Sequence, residues 1–163
     1  MDTQLKYSKQ ILFIQKIKKM KQQDYTATIE VNGDTKEAFQ KISKVDEWWA
    51  KTFKGKALQK GDHFRVEFGD TTVDFDIKEA VPDKKIIWHV SDCYLPFLND
   101  KTEWTGTEVV WEISPKNRHT EIKMTHVGLS PDAECFEVCQ QGWNKHIKSS
   151  LVNLINENKG MPQ

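Results

Sequence analysis

The last third of the chain combines two alternating strands with one long amphipathic helix. Residues 108–114 and 119–127 place apolar side chains at every second position, which predicts two half-buried strands. Residues 115–118 between them are turn formers, so the strands should pair antiparallel. A helix is predicted to begin near Pro131, and its apolar stripe needs a sheet to cover it. The stripe consists of Phe136, Cys139, Trp143, Ile147, Leu151 and Leu154.

Shorter elements precede this unit. Residues 25–31 alternate as a strand, and Asp34 with Glu37 has the spacing of a helix capping box. Two short helices should follow, and alternating apolar positions then predict further strands around Phe68, Phe75 and Trp88. The order predicts an α+β fold, in which a curved antiparallel sheet of about six strands wraps around the C-terminal helix.

Charge divides the chain into two parts. Residues 1–23 carry six Lys and one Asp, which leaves 18 basic against 23 acidic residues in 24–163. We therefore expect a basic N-terminal extension (1–23) and one domain (24–163), whose acidic balance argues against nucleic acid as a partner. The apolar run 11–14 is too short for a secretory signal or a membrane span, so no integral membrane association is expected. An extension without function is favoured over a basic helix at a membrane surface.

Three cysteines cannot all pair within one chain, so we expect free thiols, a reducing compartment and a cytoplasmic location. Cys135 and Cys139 lie four residues apart and His146 is nearby, but a tetrahedral site would need further ligands. Small buried side chains on the packed stripe are the favoured interpretation of the pair. No metal and no other cofactor are predicted.

From about residue 24 onward the chain resembles START-like, SRPBCC helix-grip proteins. It is most similar to the branch named after the activator of the heat-shock chaperone ATPase, the AHSA-type proteins. The stretches that carry the resemblance are EWWA (47–50), IIWHV (86–90), TEVVWEI (107–113), TEIKMTHVGL (120–129) and GWNKHIKSSLVNLI (142–155). The resemblance implies the helix-grip fold and a deep cavity between sheet and helix. It does not fix the chemistry, because members use the cavity for lipids, polyketides or hormones.

Sheet residues that should face the long helix are the first cavity candidates, and a packed core without ligand is the alternative for each of them. His126 either contacts a polar ligand atom or is a satisfied core histidine. Residues 91–106 form a long aromatic segment that we interpret as a lid (Tyr94, Pro96, Phe97, Trp104) facing a rim of Trp48, Trp49 and Phe53, or as a hydrophobic cluster under a loop. The predicted cavity residues are Trp48, Trp88, Phe97, Trp104, Trp111, Met124, His126, Phe136, Cys139 and Trp143.

The favoured function is binding of a small apolar or amphipathic molecule without catalytic machinery. An enzyme of the polyketide cyclase or hydrolase type is the alternative, with His126 moving protons together with Glu108 or Asp74. Strand alternation speaks against those carboxylates, because both should point to solvent. A co-regulator of a chaperone ATPase, suggested by the family name, ranks third.

Overall fold

A computed structural model describes residues 2–21 and 23–163, and all of these side chains except those of 18–21. Seven strands form one sheet in the order β1-β7-β6-β5-β4-β3-β2, and every neighbouring pair is antiparallel. The elements are α1 (Asp2–Lys21), β1 (Tyr25–Val31), α2 (Thr35–Ser43), α3 (Val45–Trp48), β2 (Thr52–Gly55), β3 (His63–Phe68), β4 (Thr71–Val81), β5 (Lys85–Tyr94), β6 (Glu108–Lys116), β7 (His119–Val127), α4 (Phe136–Lys145), a π-helix (His146–Leu151) and α5 (Val152–Glu157).

The predicted α+β architecture is confirmed, with seven strands instead of about six. The additional strand is β2, which has four residues and pairs with β3 at the edge of the sheet. Such a short segment contains too few positions for alternation to be recognised in the sequence. The first strand pairs with the last, with Tyr25 opposite His126, so β1 forms one edge of the sheet beside the β6–β7 hairpin.

The two short helices after β1 are also confirmed. Asp34 caps α2, because its carboxylate accepts a 2.7 Å hydrogen bond from the backbone N–H of Glu37. The apolar face of α2, formed by Ala38, Phe39 and Ile42, is buried. This packing carries the chain into α3, whose last residue, Trp48, lies at the centre of the core.

The core is an aromatic cluster between α3 and the middle of the sheet. Trp48, Trp88 and Trp111 are fully buried, with ring centroids between 5.3 and 6.5 Å apart. The indole N–H of Trp48 donates to the carbonyl of Ile42 at 3.1 Å. Phe64 and Phe75 extend the cluster toward β3 and β4.

The C-terminal helix begins at Phe136, five residues later than predicted, because residues 131–135 form turns. It also changes its winding at His146, where α4 passes into the π-helix. A π turn contains more residues than an α turn, so the buried face is displaced around the axis. His146 and Ser150 are buried in this segment, together with the predicted Ile147 and Leu151.

Helix α1 lies within the predicted basic extension. Its described side chains, residues 2–17, are all exposed, including several large apolar ones. None of the described helices is long and apolar enough to cross a membrane.

Ser150 links the π-helix to the C-terminal residues. Its hydroxyl donates to the carbonyl of Trp48 at 2.6 Å and accepts from the N–H of Met161 at 2.7 Å. Gly160 lies so close to α3 that an added Cβ would sit 2.0 Å from the carbonyl oxygen of Glu47. The last residues thus pack tightly against α3.

Replacing Ser150 with Ala should lower the free energy of unfolding by about 1–3 kcal/mol, because a buried carbonyl and a backbone N–H lose their partner. Urea denaturation measures the change. Ser149→Ala is the matched control, since Ser149 is exposed on the same helix. Equal losses in the two variants would contradict this role of the Ser150 hydroxyl.

Candidate functional site

A hollow of about 280 Å³ opens between the end of the β3–β4 hairpin, the loop 95–107 and helix α4. Its size is near the lower end of ligand pockets, which measure roughly 300–1,000 Å³. The lining is predominantly apolar and aromatic, and none of the lining residues is Asp, Glu, Lys or Arg. It comprises Trp49, Phe68, Thr71, Val73, Leu95, Phe97, Trp104, Val138, Cys139, Gly142, Trp143, His146 and Gln163.

The predicted cavity residues divide into three groups. Phe97, Trp104, Cys139 and Trp143 line the hollow. Phe136 lies beside a different hollow, near Tyr25 and Asn144. The remaining five are fully buried and lie outside the lining, because they fill the space between sheet and helices with one another: Trp48, Trp88, Trp111, Met124 and His126.

Only some of the residues assigned to the lid and the rim line the hollow. Trp49 lines the hollow opposite Trp104, whereas Trp48 is enclosed in the core and Phe53 packs on Phe64. Sequence reasoning missed Phe68, Gly142 and His146 as lining residues. Gly142 stands directly before Trp143 on the apolar stripe, which was the available signal for it.

His126 is the centre of a hydrogen-bond relay that joins three elements. The indole N–H of Trp143 in α4 donates to Nδ1 of His126 at 3.1 Å, and Nε2 of His126 is 2.9 Å from the hydroxyl of Thr107. Because an indole can only donate, Nδ1 is the acceptor, and a neutral imidazole then carries its proton on Nε2. The Thr107 hydroxyl accepts the hydrogen bond from Nε2 of His126, and it donates to the carbonyl of Trp104 at 2.6 Å.

Complete burial lowers the pKa of His126 from its ordinary 6.5 to about 3, so the ring is neutral at pH 7. Both nitrogens are occupied by partners within the protein. The edge of Trp104 also contacts this ring, with centroids 4.6 Å apart. His126 is therefore arranged as a satisfied core histidine.

The loop 95–107 is fixed to the start of α4 by two carboxylates. Glu103 accepts from the backbone N–H groups of Glu134 and Cys135, at 2.6 and 3.0 Å. In return, the side chain of Glu134 accepts from the N–H groups of Asn99 and Asp100. These backbone donors lower the pKa of the Glu134 carboxyl. These reciprocal hydrogen bonds hold the loop and the helix together at one end of the hollow.

Gly142 in α4 and His146 at the start of the π-helix lie one turn apart on the helical wall of the hollow. Nδ1 of His146 is buried and has no hydrogen-bond partner among the described residues, and burial lowers the pKa of this imidazole to about 4. A Cβ added to Gly142 would meet nothing within 4 Å. The helix therefore leaves open space beside a polar group that lacks a partner.

The carboxylates considered for catalysis lie elsewhere. The expectation that Asp74 points to solvent is wrong, since it is only 8% exposed. Arg65 covers it with two hydrogen bonds of 2.9 and 2.8 Å, which together with His63 hold its pKa below the ordinary range. Glu108 is paired with Lys78. Neither carboxylate lines the hollow.

The structure pairs Cys135 with Cys139 as a disulfide, with the two Cα atoms 5.5 Å apart. The expectation of free thiols therefore holds only for Cys93, which is buried. The pair also removes the argument from cysteines for a reducing compartment, so a cytoplasmic location stays a prediction. No group of three His, Cys, Asp or Glu residues in the described part of the chain could hold a metal ion.

A second hollow, of about 660 Å³, is larger but less suited to an apolar ligand. Its lining is largely polar and includes Asp24, Gln140, Asn144 and Lys148. An apolar ligand there would displace water from these charged and polar groups without pairing them. We therefore take the smaller, aromatic hollow as the candidate site.

An antiparallel sheet packed on a C-terminal helix, with an aromatic hollow at the edge of their interface, defines a helix-grip domain. The model of the family described as "Activator of Hsp90 ATPase homolog 1-like protein" matches residues 37–156. The chain belongs to this family, as its resemblance to AHSA-type proteins predicted. A search of curated proteins gave no match.

Solved structures share the fold at low sequence identity. The Aha1 dimer from Colwellia psychrerythraea has a TM-score of 0.69 and 18% identity, over 84% of this chain and 98% of that one. Protein MLL2253 from Mesorhizobium loti has a TM-score of 0.64 and 14% identity, over 84% and 100%. DynU16, from the dynemicin biosynthetic locus, has a TM-score of 0.62 and 15% identity over 83% of this chain, which spans about half of its length (48%).

The buried imidazoles should make the protein less stable as the pH falls from 7 to 5. Native His126 stays neutral in this range, whereas the unfolded chain takes up a proton below about pH 6.5. The unfolded state then binds more protons, so the free energy of unfolding should fall by about 2 kcal/mol through His126, and His146 acts in the same direction.

Urea denaturation of the wild type and of His126→Gln at pH 7, 6 and 5 measures this effect. The variant should show the shallower decline. His63, whose pKa Asp76 raises, acts in the opposite direction but is present in both proteins. Parallel declines would contradict the assignment of the effect to His126.

Proposed function

We propose that this protein binds one small, uncharged and predominantly apolar molecule in the hollow lined by Trp49, Trp104 and Trp143, and releases it unchanged. The proposal assigns binding to the domain 24–163 and gives the basic extension 1–23 no part in it. The aromatic walls offer a large apolar contact area. Because no charged side chain lines the hollow, a charged ligand would lose its hydration without compensation.

Gly142 is the observation that carries the proposal. Glycine inside a helix is about 1 kcal/mol less favourable than alanine. Neighbouring atoms do not require a glycine here, because a Cβ would have free space around it. The missing side chain instead leaves room on the wall of the hollow, and room is what a bound molecule needs.

The rigidity of the walls is a second support. The relay through His126 holds Trp143 and the backbone of Trp104, and Trp104 stacks on Trp143 with centroids 5.9 Å apart and planes 9° from parallel. The carboxylates of Glu103 and Glu134 hold the remainder of the loop. Walls that are ordered before binding lower the entropic cost of binding.

Catalysis gains no comparable support. Both nitrogens of His126 are engaged within the core, and Asp74 and Glu108 form ion pairs away from the hollow. The cyclase alternative therefore lacks a proton acceptor among the groups considered for it. The chaperone co-regulator rests on the family name, and the exposed apolar side chains of α1 do not by themselves identify a partner.

The test is native mass spectrometry of protein purified from its own host, followed by solvent extraction of whatever accompanies it. We expect a stoichiometric, uncharged molecule that is lost when the protein is denatured. If the purified protein is empty and no member of a panel of small aromatic and aliphatic compounds binds to it, the proposal is wrong.

Filling the space beside Gly142 should weaken ligand binding without unfolding the protein. Gly142→Leu should weaken the affinity for a bound aromatic compound at least tenfold, because the new side chain occupies the hollow. Gly142→Ala should raise the free energy of unfolding by about 1 kcal/mol. Calorimetric titration measures the affinity, and urea denaturation measures the stability.

Gln141→Leu is the matched control, since it adds the same side chain to the exposed face of the same helix. It should leave the affinity unchanged. Normal binding by Gly142→Leu would show that the ligand lies elsewhere.

A further inference from the structure

His146 is a polar group in an otherwise largely apolar hollow, and the protein leaves it without a partner. The residue is 6% exposed and lines the hollow. Its ring packs on Phe68, with centroids 6.4 Å apart, and Nδ1 is buried without a hydrogen-bond partner among the described residues. The indole N–H groups of Trp88, Trp104 and Trp111 are buried without a partner in the same way, but an imidazole has a second ring nitrogen. In His146 this nitrogen, Nε2, is neither enclosed nor hydrogen-bonded to a described residue, so it can take a partner from outside the chain.

The other buried histidine makes the contrast clear. Both nitrogens of His126 have partners, from Trp143 and Thr107. The same helix and the same sheet thus satisfy one imidazole completely and the other not at all. Local crowding of aromatic rings does not explain the difference, since His126 is the more deeply buried of the two.

The backbone conformation of the helix also changes at this residue. His146 is the first residue of the π-helix, which replaces α-helical winding through Leu151. π-helical turns are rare and are often found at functional sites. Here the change of winding begins on the helix face that forms the wall of the hollow.

We propose that His146 binds a hydroxyl group on the ligand, so that the molecule taken up by this hollow is a neutral, predominantly apolar compound carrying a hydroxyl. This inference rests on the proposed function and specifies the chemistry of the same site. Nδ1 is enclosed, so the contact is assigned to Nε2 of the ring.

The choice of a hydroxyl follows from the state of the imidazole. Burial lowers the pKa of His146 to about 4, so at pH 7 the ring is neutral and Nε2 either donates or accepts. A hydroxyl can do both and pairs with either tautomer. A carboxylate would enter a site without a lysine or arginine in its lining, and a hydrocarbon would take Nε2 out of water without giving it a partner.

Three probes of one shape test the inference: naphthalene, 2-naphthol and 2-naphthoate. Their dissociation constants are measured at pH 7 by calorimetric titration with the full-length protein. We expect 2-naphthol to bind about tenfold more tightly than naphthalene, which corresponds to one hydrogen bond in a buried site. The charged 2-naphthoate should bind most weakly.

His146→Phe removes both nitrogens and keeps a ring against Phe68. In this variant 2-naphthol should lose its tenfold advantage, while naphthalene should bind as before or more tightly. His119→Phe is the matched control, because His119 is exposed and lies outside the lining. It should keep the wild-type preference, and thermal unfolding confirms that each variant is folded.

The outcomes separate the two proposals. Equal binding of naphthalene and 2-naphthol to the wild type, or an equal loss for both probes in His146→Phe, would overturn the role of His146 and leave the proposed binding function standing. Binding of none of the probes to the wild type would overturn both.

Discussion

One hydrogen bond between the C-terminal helix and the sheet determines the geometry of the site. Trp143 in α4 donates to Nδ1 of His126 in β7, and this contact selects the tautomer of the imidazole. The proton on the opposite nitrogen then orients the hydroxyl of Thr107, which in turn holds the backbone of Trp104. Helix, sheet and loop thus meet through one histidine. The hollow lies beside this junction, and two of its indole walls are placed by it.

The tryptophans of this chain divide into a structural set and a wall set. Trp48, Trp88 and Trp111 fill the core, where the indole N–H groups of Trp88 and Trp111 have no hydrogen-bond partner among the described residues. Trp49, Trp104 and Trp143 line the hollow. Trp49 connects the sets, since it stacks on Trp88 at 6.1 Å and contacts Trp143 at 4.8 Å. The walls of the hollow are therefore continuous with the core, and Trp49 belongs to both.

Alternation predicted most of the fold, because strands such as β7 bury every second residue, whereas β2 is too short to show a period. That the side chain of His126 points toward the helix could be predicted for the same reason. Its hydrogen bonds could not, since they depend on the distance between elements far apart in sequence. The π-helix also escaped prediction, because a single extra residue in one turn leaves no periodic signal. His146 itself lies three residues after Trp143, beside the predicted apolar stripe, so helical periodicity could have indicated it as a lining residue.

The reciprocal hydrogen bonds of Glu103 and Glu134 between the loop and the start of α4 affect how a ligand could reach the hollow. Opening the loop as a lid would break the charge-assisted hydrogen bonds of Glu103 and Glu134 together, so these contacts favour the closed loop. Phe97 and Val138, in contrast, are 54% and 63% exposed at the mouth of the hollow. Exposed side chains change rotamer within picoseconds to nanoseconds. For the binding function proposed above, a small molecule would therefore enter and leave through the rotation of these two side chains, without an opening of the loop.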